Sequence, residues 1–568
     1  MSALARARVL VPGSKHVASL SRSFSQSARR FPVSRSIKHK TAASFRPSLP
    51  VAVPCDWSVG CHGVVRLYSS SPPAQQPNLA FAFDIDGVLL HKSEPIEGAT
   101  ATLKYLQQHE IPFIFLTNGG GKPEAKRVAE LSEKLGVPLN TSNFVQSHTP
   151  YQLLTQENFN GVKDSELAGL ITYLRDNVGV DHLRDSTVLV LGSDASVARR
   201  VAHGYGFTSV ITSGDILAAH PEIFPFDPLS EFYAKQEILP LPKPLYDPKK
   251  MDNSMLRDCL KIDAVLVFND PRDWAVDIQL ITDLLLSHRG YLGTWSFLNG
   301  KVQKNKALAE GKEGRAKTKY HKKLAKLAAQ WQSDGQPAVV FSNCDLLWST
   351  GYQIPRFGQG AFRNAVHAQF QAIVADSDGY KKDKTRYELR DFTFGKPHHA
   401  AYAYAQKVML EQFEKLRQDR PPPASSSSAA ATETTTTGLE GEVQQQDGSN
   451  EHVAEGTPPS SPSLQRQGQG QPPKKSVWMI GDNLMSDIWG ANKWNQHFNS
   501  RHVRTKTAQG QHMAIKWQAC LVETGVWSKD RAPLNRQAEI NKPQMVQKDV
   551  KSAVNAIFEK ENWPGRIE

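Results

Sequence analysis

Cysteine is scarce. The 568 residues include five (Cys55, Cys61, Cys259, Cys344, Cys520), scattered and without C-x-x-C spacing. That argues against a disulfide framework and a thiolate zinc site, and it fits a reducing matrix or cytosol. No run of 18 or more apolar residues occurs, so no membrane span is expected. No fixed-period repeat is apparent, which excludes a solenoid or propeller. Acidic residues are nearly missing from one stretch: residues 1–70 hold a single acid, Asp56, against eleven Lys and Arg. Most of the formal net charge of +12 therefore lies there, and the rest of the chain is close to neutral. A general polyanion-binding surface does not follow, and no nucleic-acid partner is expected.

The opening stretch has a texture of its own. Arg and Ser alternate with small apolar residues, the pattern of a mitochondrial presequence, and Arg66-Leu67-Tyr68-Ser69 resembles a matrix-peptidase cleavage site. A mitochondrial protein, in the matrix and matured near Ser69, is the expectation. A basic tail with no address is the alternative. A secretory signal needs an uninterrupted apolar region, which is not there.

Structure is expected from about Asn78. Leu79–Phe83 and Ile111–Leu116 are short apolar runs that predict buried strands. Thr100–Glu110 and Lys122–Leu135 predict helices, the second with Val128, Leu131 and Leu135 at helical spacing. This alternation predicts an α/β fold with a parallel sheet covered on both faces. A second α/β segment follows, with strands expected at Thr187–Leu191, Ala264–Phe268 and Ala338–Phe341 and a helix at Asp277–Ser287. A lysine-rich patch runs from Lys301 to Lys326; it reads as a solvated helix face or as a surface for a phosphorylated polymer. Residues 420–474 are runs of Pro, Ser, Thr and Gln that cannot bury a core, and predict a disordered loop. Val477–Ile480 and Ala519–Thr524 predict further strands, and Val550–Glu559 a terminal helix.

Four short motifs carry chemistry. Asp84 and Asp86, in Phe83-Asp-Ile-Asp-Gly-Val88, follow the first buried strand. On a continuing strand they would share a face, and two acids there repel unless a cation or proton is shared. A calcium loop shares the D-x-D-G pattern, but the distal glutamate such a loop needs is Pro95 here. Thr117-Asn118-Gly119-Gly120-Gly121 follows the second strand. A hydroxyl and exposed amides before a helix N-terminus suit a phosphoryl oxygen. Lys396, in Phe394-Gly-Lys-Pro397, is expected to open a helix over His398–Leu416, where a cation is unfavourable. Function or a plain surface lysine would explain it. Finally Gly481-Asp482-Asn483 with Asp487 follows another strand and adds two acids, whose hard oxygens favour Mg²⁺ over zinc.

In this order the four motifs resemble the haloacid dehalogenase (HAD) superfamily. The 187–390 segment sits where subfamily IIA carries its C2-type cap. More narrowly the chain is similar to the mitochondrial group named for the cat eye syndrome critical region protein 5, on Phe394–Pro397, Gly481–Asn483 and Thr524-Gly-Val526. The resemblance spans about 78–560. It implies a Rossmann-like HAD core, in parts over 78–186 and 391–560, with the cap over 187–390. It implies that Asp84 becomes a covalent aspartyl-phosphate and Asp86 is acid and then base, with its backbone carbonyl on Mg²⁺. Thr117, Asn118, Gly119 and Lys396 would hold the phosphoryl group. Asp84, Asp86 and Asp482 would hold Mg²⁺, with Asp487 a ligand or a neighbour of the ligands, and Asn483 orienting them. The acid at 86 favours phosphate-ester hydrolysis over dehalogenation.

Ser342-Asn343-Cys344-Asp345 resembles the cap's T-N-x-D turn, with Ser for Thr, so Asn343 and Asp345 are candidate substrate contacts. Asn269-Asp270 and His148 are further candidates beside readings as plain turn residues. The expected activity is Mg²⁺-dependent hydrolysis of a small phosphorylated metabolite. A phosphotransferase of phospholipid-precursor metabolism and a non-catalytic binding protein of the same fold are the alternatives. A homo-oligomer is left open.

Overall fold

The computed structural model describes residues 77–568 except 158–165, 227–228, 300–330, 349, 351, 376–387, 419–473, 501–504, 507–511, 531–532 and 535–537. The basic leader, the lysine-rich patch and all but the last residue of the low-complexity stretch lie outside the described residues.

Two parallel sheets organise the rest. In the first, the order across the sheet is Thr505–Lys506, His512–Val522, Lys474–Gly481, Leu79–Phe83, Phe113–Leu116 and Phe144–Val145, with Met545–Gln547 also pairing to His512–Val522. All neighbours are parallel except the short Thr505–Lys506 strand. The second runs Phe392–Thr393, Ala338–Phe341, Ala264–Val267, Thr187–Leu191 and Ser209–Thr212, all parallel.

Both faces of each sheet are covered, which is why its central strands are unbroken apolar runs. Along Leu79–Phe83 the side chains alternate. Leu79, Phe81 and Phe83 join one core cluster with Leu103, Leu131 and Phe558, while Ala80 and Ala82 join another with Tyr402, Met409 and Trp494. The second sheet repeats the pattern, Leu189 and Val265 on one side and Val188 and Leu266 on the other.

The predicted strands and helices form, with shifted ends. The Lys474–Gly481 strand starts three residues before the apolar run. Backbone pairing with His512–Val522 continues from Lys474↔Ala514 to Gly481↔Leu521, and a ladder does not require apolar side chains. Packing also departs from the expected boundaries. Tyr151 donates to the carbonyls of Val267 and Val340, both at 3.0 Å, so the segment around it packs on the second sheet. Phe392–Thr393, just past 390, is that sheet's edge strand.

Candidate active site

Leu79–Phe83 and Lys474–Gly481 are neighbours in the sheet, yet the chain continues from them to opposite edges. Ligands of open α/β sheets lie at the carboxyl ends of strands at such a switch point. Asp84 and Asp482 follow these two strands, and the Asp84 amide donates to the Ile480 carbonyl at 3.0 Å. Thr117 follows the adjacent strand, buried, its hydroxyl accepting from the Gly119 amide at 3.0 Å.

Lys396 reaches this point from 312 residues away. Its Nζ donates to Asp84 Oδ1 at 2.8 Å and to Asp487 Oδ1 at 2.6 Å. It is 2 % exposed, which rules out the surface-lysine reading. The helix begins at His399, so Lys396 precedes it rather than opening it. Burial would lower its pKa; Asp487 and Asp84 outweigh burial and hold it above the ordinary lysine value.

Asp487 and Asp482 are fixed from behind. The Asn483 amide donates to Asp487 Oδ2 at 3.1 Å, and the Asn483 side chain caps the turn that follows. Tyr402 donates to the Asp487 carbonyl at 3.0 Å. The Val526 amide donates to Asp482 Oδ2 at 2.6 Å, and the Thr524 hydroxyl to the Gly87 carbonyl at 2.5 Å. A Cβ at Gly525 would come 1.9 Å from Asp482 Oδ2, so only glycine admits this approach. Tyr402 carried no sequence signal, being one aromatic among many on a helix.

Asp86 departs from the expectation that it shares a strand face with Asp84. The strand ends at Phe83, and the chain turns through Gly87 at φ +91°, with the Leu90 amide bonded back to Ile85. The Asp86 side chain is therefore 68 % exposed, with Arg127 of the Glu124–Leu135 helix 4.0 Å away. Desolvation by the surrounding protein first, and the charge of Asp84 second, push its pKa above the ordinary carboxylate value, against the opposing pull of Arg127.

Asn118 is a junction rather than a free donor. Its Nδ2 donates to Asp345 Oδ2 and to the Lys396 carbonyl, both at 2.9 Å, and its Oδ1 accepts from the Lys396 amide at 2.8 Å. The Asn343 side chain donates to the Asn118 carbonyl at 3.3 Å. Asn343 and Asp345 thus reach the site through Asn118. Burial, opposed by the Asn118 hydrogen bond, pushes Asp345 up to about 6. Asn269 braces its own sheet, bonded to Ser193, with the loop's Gly121 packed against it. His148 is fully buried and braces the glycine loop. Its Nε2 accepts from the Gly121 amide, and its Nδ1 pairs with the Tyr205 hydroxyl at 2.8 Å. Burial holds it down at about 4, so it is neutral at ordinary pH.

Oxygens of Asp84, Asp482 and Asp487 lie within 4.8 Å of one another. Three buried carboxylates face one lysine, and their hard oxygens suit a divalent cation such as Mg²⁺. The protonation balance expresses the same excess. Burial, then Asp84 and Asp487, raise Asp482 well above its ordinary value; burial, opposed by Lys396, pushes Asp487 up to about 7. Carboxyls with a raised folded pKa bind more protons folded than unfolded, so their share of stability falls as pH rises from about 4 to about 7. Calorimetry of the metal-free protein is expected to show an unfolding midpoint falling across that interval. Mg²⁺ should restore more of it at the upper end than the lower. Midpoints that ignore Mg²⁺ at both ends would remove the argument for a cation here.

A family model described as haloacid dehalogenase-like hydrolase matches residues 81–208. The mitochondrial hydrolase YKR070W of Saccharomyces cerevisiae is 30% identical over 484 residues, covering 85% of this chain and 96% of that protein. A cardiolipin synthase (CMP-forming) / mitochondrial hydrolase fusion protein of Schizosaccharomyces pombe is 29% identical over 483 residues, 84% of this chain and 57% of that longer one. Among solved structures, the glycerol phosphate phosphatase Rv1692 from Mycobacterium tuberculosis, in complex with magnesium, is 15% identical. It aligns over 84% of this chain and 77% of its own, with a TM-score of 0.36. NagD from E. coli K-12 aligns over 84% and 98% at 14% identity, also with a TM-score of 0.36. The chain belongs to the haloacid dehalogenase-like hydrolases and is an enzyme of that family.

Proposed function

We infer that this enzyme is a Mg²⁺-dependent phosphatase that cleaves a phosphate monoester through an aspartyl-phosphate on Asp84. The observation that carries the reading is Lys396 Nζ between Asp84 Oδ1 and Asp487 Oδ1, at 2.8 and 2.6 Å. The lysine leaves the second Asp84 oxygen to attack phosphorus. As the new P–O bond forms, the bond to the leaving oxygen breaks and Asp86 gives that oxygen its proton. Asp86 then takes a proton from water, whose oxygen attacks phosphorus, and the P–O bond to Asp84 breaks. Phosphate and free Asp84 result.

Thr117 and the Asn118 amide would hold the phosphoryl oxygens, with the Gly119 amide orienting the Thr117 hydroxyl; the Asn118 side chain, engaged elsewhere, is not assigned to this. The carboxylates of Asp84 and Asp482 and the Asp86 carbonyl would hold Mg²⁺, with Asp487 beside them. Bound there, the ion would neutralise phosphoryl charge and orient the nucleophile, most of what phosphoryl transfer asks of a protein. Mitochondrial action is supported by the basic leader and by the names of both relatives.

The full-length protein is expected to release phosphate from small phosphate monoesters with Mg²⁺ and to stop in EDTA. Equal release in both conditions would overturn the metal assignment. One observation favours a second reading, a phosphotransferase of phospholipid-precursor metabolism: the fission-yeast relative is fused to a cardiolipin synthase. Supplying an alcohol acceptor and measuring its phosphorylated product against free phosphate separates the two.

A further inference from the structure

We propose that the hairpin after Asp345 binds the hydrocarbon part of the substrate, which is then a phosphate monoester carrying a long alkyl or acyl chain. This rests on the phosphatase reading above and narrows its substrate class.

Leu346, Leu347, Trp348, Tyr352, Ile354 and Phe357 are each between 48 % and 69 % exposed. One such residue at a surface is ordinary, but six within twelve positions need an occupant. The hairpin is tied to the site. Leu347–Trp348 pairs antiparallel with Arg356–Phe357, the Gly358 amide donates to the Leu346 carbonyl at 3.0 Å, and the Gly360 amide donates to the Asp345 carbonyl at 2.9 Å. A Cβ at Gly360 would come 2.2 Å from the Cys344 carbonyl, so the base is closely packed. Asp345 in turn bonds Asn118, whose side chain holds the Lys396 backbone. The hairpin is thus linked, through Asp345 and Asn118, to the lysine on Asp84.

Exposed apolar side chains also lie near the carboxylates, Met485 at 54 % between Asp482 and Asp487, and Val526 at 53 % on the loop after the His512–Val522 strand. Val526 is the residue whose amide bonds Asp482. Charge points the same way. Residues 346–357 contain no acid, and their one charge, Arg356, lies 4.6 Å over the Tyr352 ring. Aromatic and aliphatic side chains with a single cation suit an amphiphile with an anionic head. A sugar phosphate would leave these side chains in water.

The test compares kcat/KM of the full-length protein with Mg²⁺ on butyl, octyl and dodecyl phosphate, each below its micellar concentration. Even partial burial of the added methylenes predicts a rise on the order of tenfold or more from butyl to dodecyl. A double variant, Trp348→Ser with Ile354→Ser, is expected to lose that rise while keeping its unfolding midpoint. A flat chain-length profile with butyl phosphate hydrolysed would overturn the proposal and leave the phosphatase standing. No hydrolysis of any member, nor of other small phosphate monoesters with Mg²⁺, would instead overturn the phosphatase reading on which it rests. If the double variant kept the chain-length gain but changed from dimer to monomer on sedimentation, the hairpin would be a self-association surface and the proposal would fail.

Discussion

Asp84→Asn is expected to lower phosphate release on the order of 10⁶-fold, below the floor of an ordinary assay, in a protein that still folds. The argument is steric as well as chemical. Asparagine keeps the shape of the side chain and an acceptor oxygen for Lys396, which sits 2.8 Å from Asp84 Oδ1. The strand-end hydrogen bond from residue 84 to Ile480 is backbone and survives. What is lost is the nucleophilic oxygen. One negative charge also leaves a group where Asp84 helps raise the pKa of Asp86, Asp482 and Asp487, so the unfolding midpoint without metal should not fall. Acid-quenched wild-type protein should carry phosphate on the peptide containing Asp84, and the variant should not. A variant retaining even a hundredth of the wild-type rate would mean that Asp84 is not the nucleophile.

Lys396→Met is expected to cost both activity and fold. Removing one partner of a buried ion pair leaves the other uncompensated, at about 3–5 kcal/mol. Here the orphans are two carboxylates, Asp84 and Asp487. The midpoint should therefore drop by several degrees at neutral pH, and less in acid, where Asp487 takes up a proton. Adding Asp487→Asn to Lys396→Met should recover part of the stability and none of the activity. That pattern separates charge balance from packing. If Lys396→Met unfolded at the wild-type temperature across the pH range, the lysine would not be the counter-charge that its geometry makes it.

Much of this was legible before any coordinates. The strands are runs such as Leu79–Phe83 and Ala264–Val267, buried on both faces and so apolar at every position. Each motif sits within a few residues of such a run, so chain order alone located Asp84, Thr117 and Asp482. Asp86 lies off the face that a continuing strand would give it, because the strand ends at Phe83 and Gly87 turns the chain. That the Asn118 side chain bonds Asp345 and the Lys396 backbone is not legible, because a polar side chain in a glycine loop carries no mark of what it will bond to. Arg127 was invisible for the same reason, a basic residue on a helix full of charges.

The sequence by itself determined the fold class, the order of the strands that bear chemistry and the kind of chemistry, because local periodicity and short-range composition encode all three. Only the tertiary structure decided that Lys396 pairs with Asp84 and Asp487, that Asn118 joins the glycine loop to Asp345, and that six apolar side chains after Asp345 stand in water. These are meetings of residues tens to hundreds of positions apart, or the absence of such a meeting. Which loops a parallel sheet brings to one edge depends on how its strands are ordered in space, and no short window of sequence contains that order.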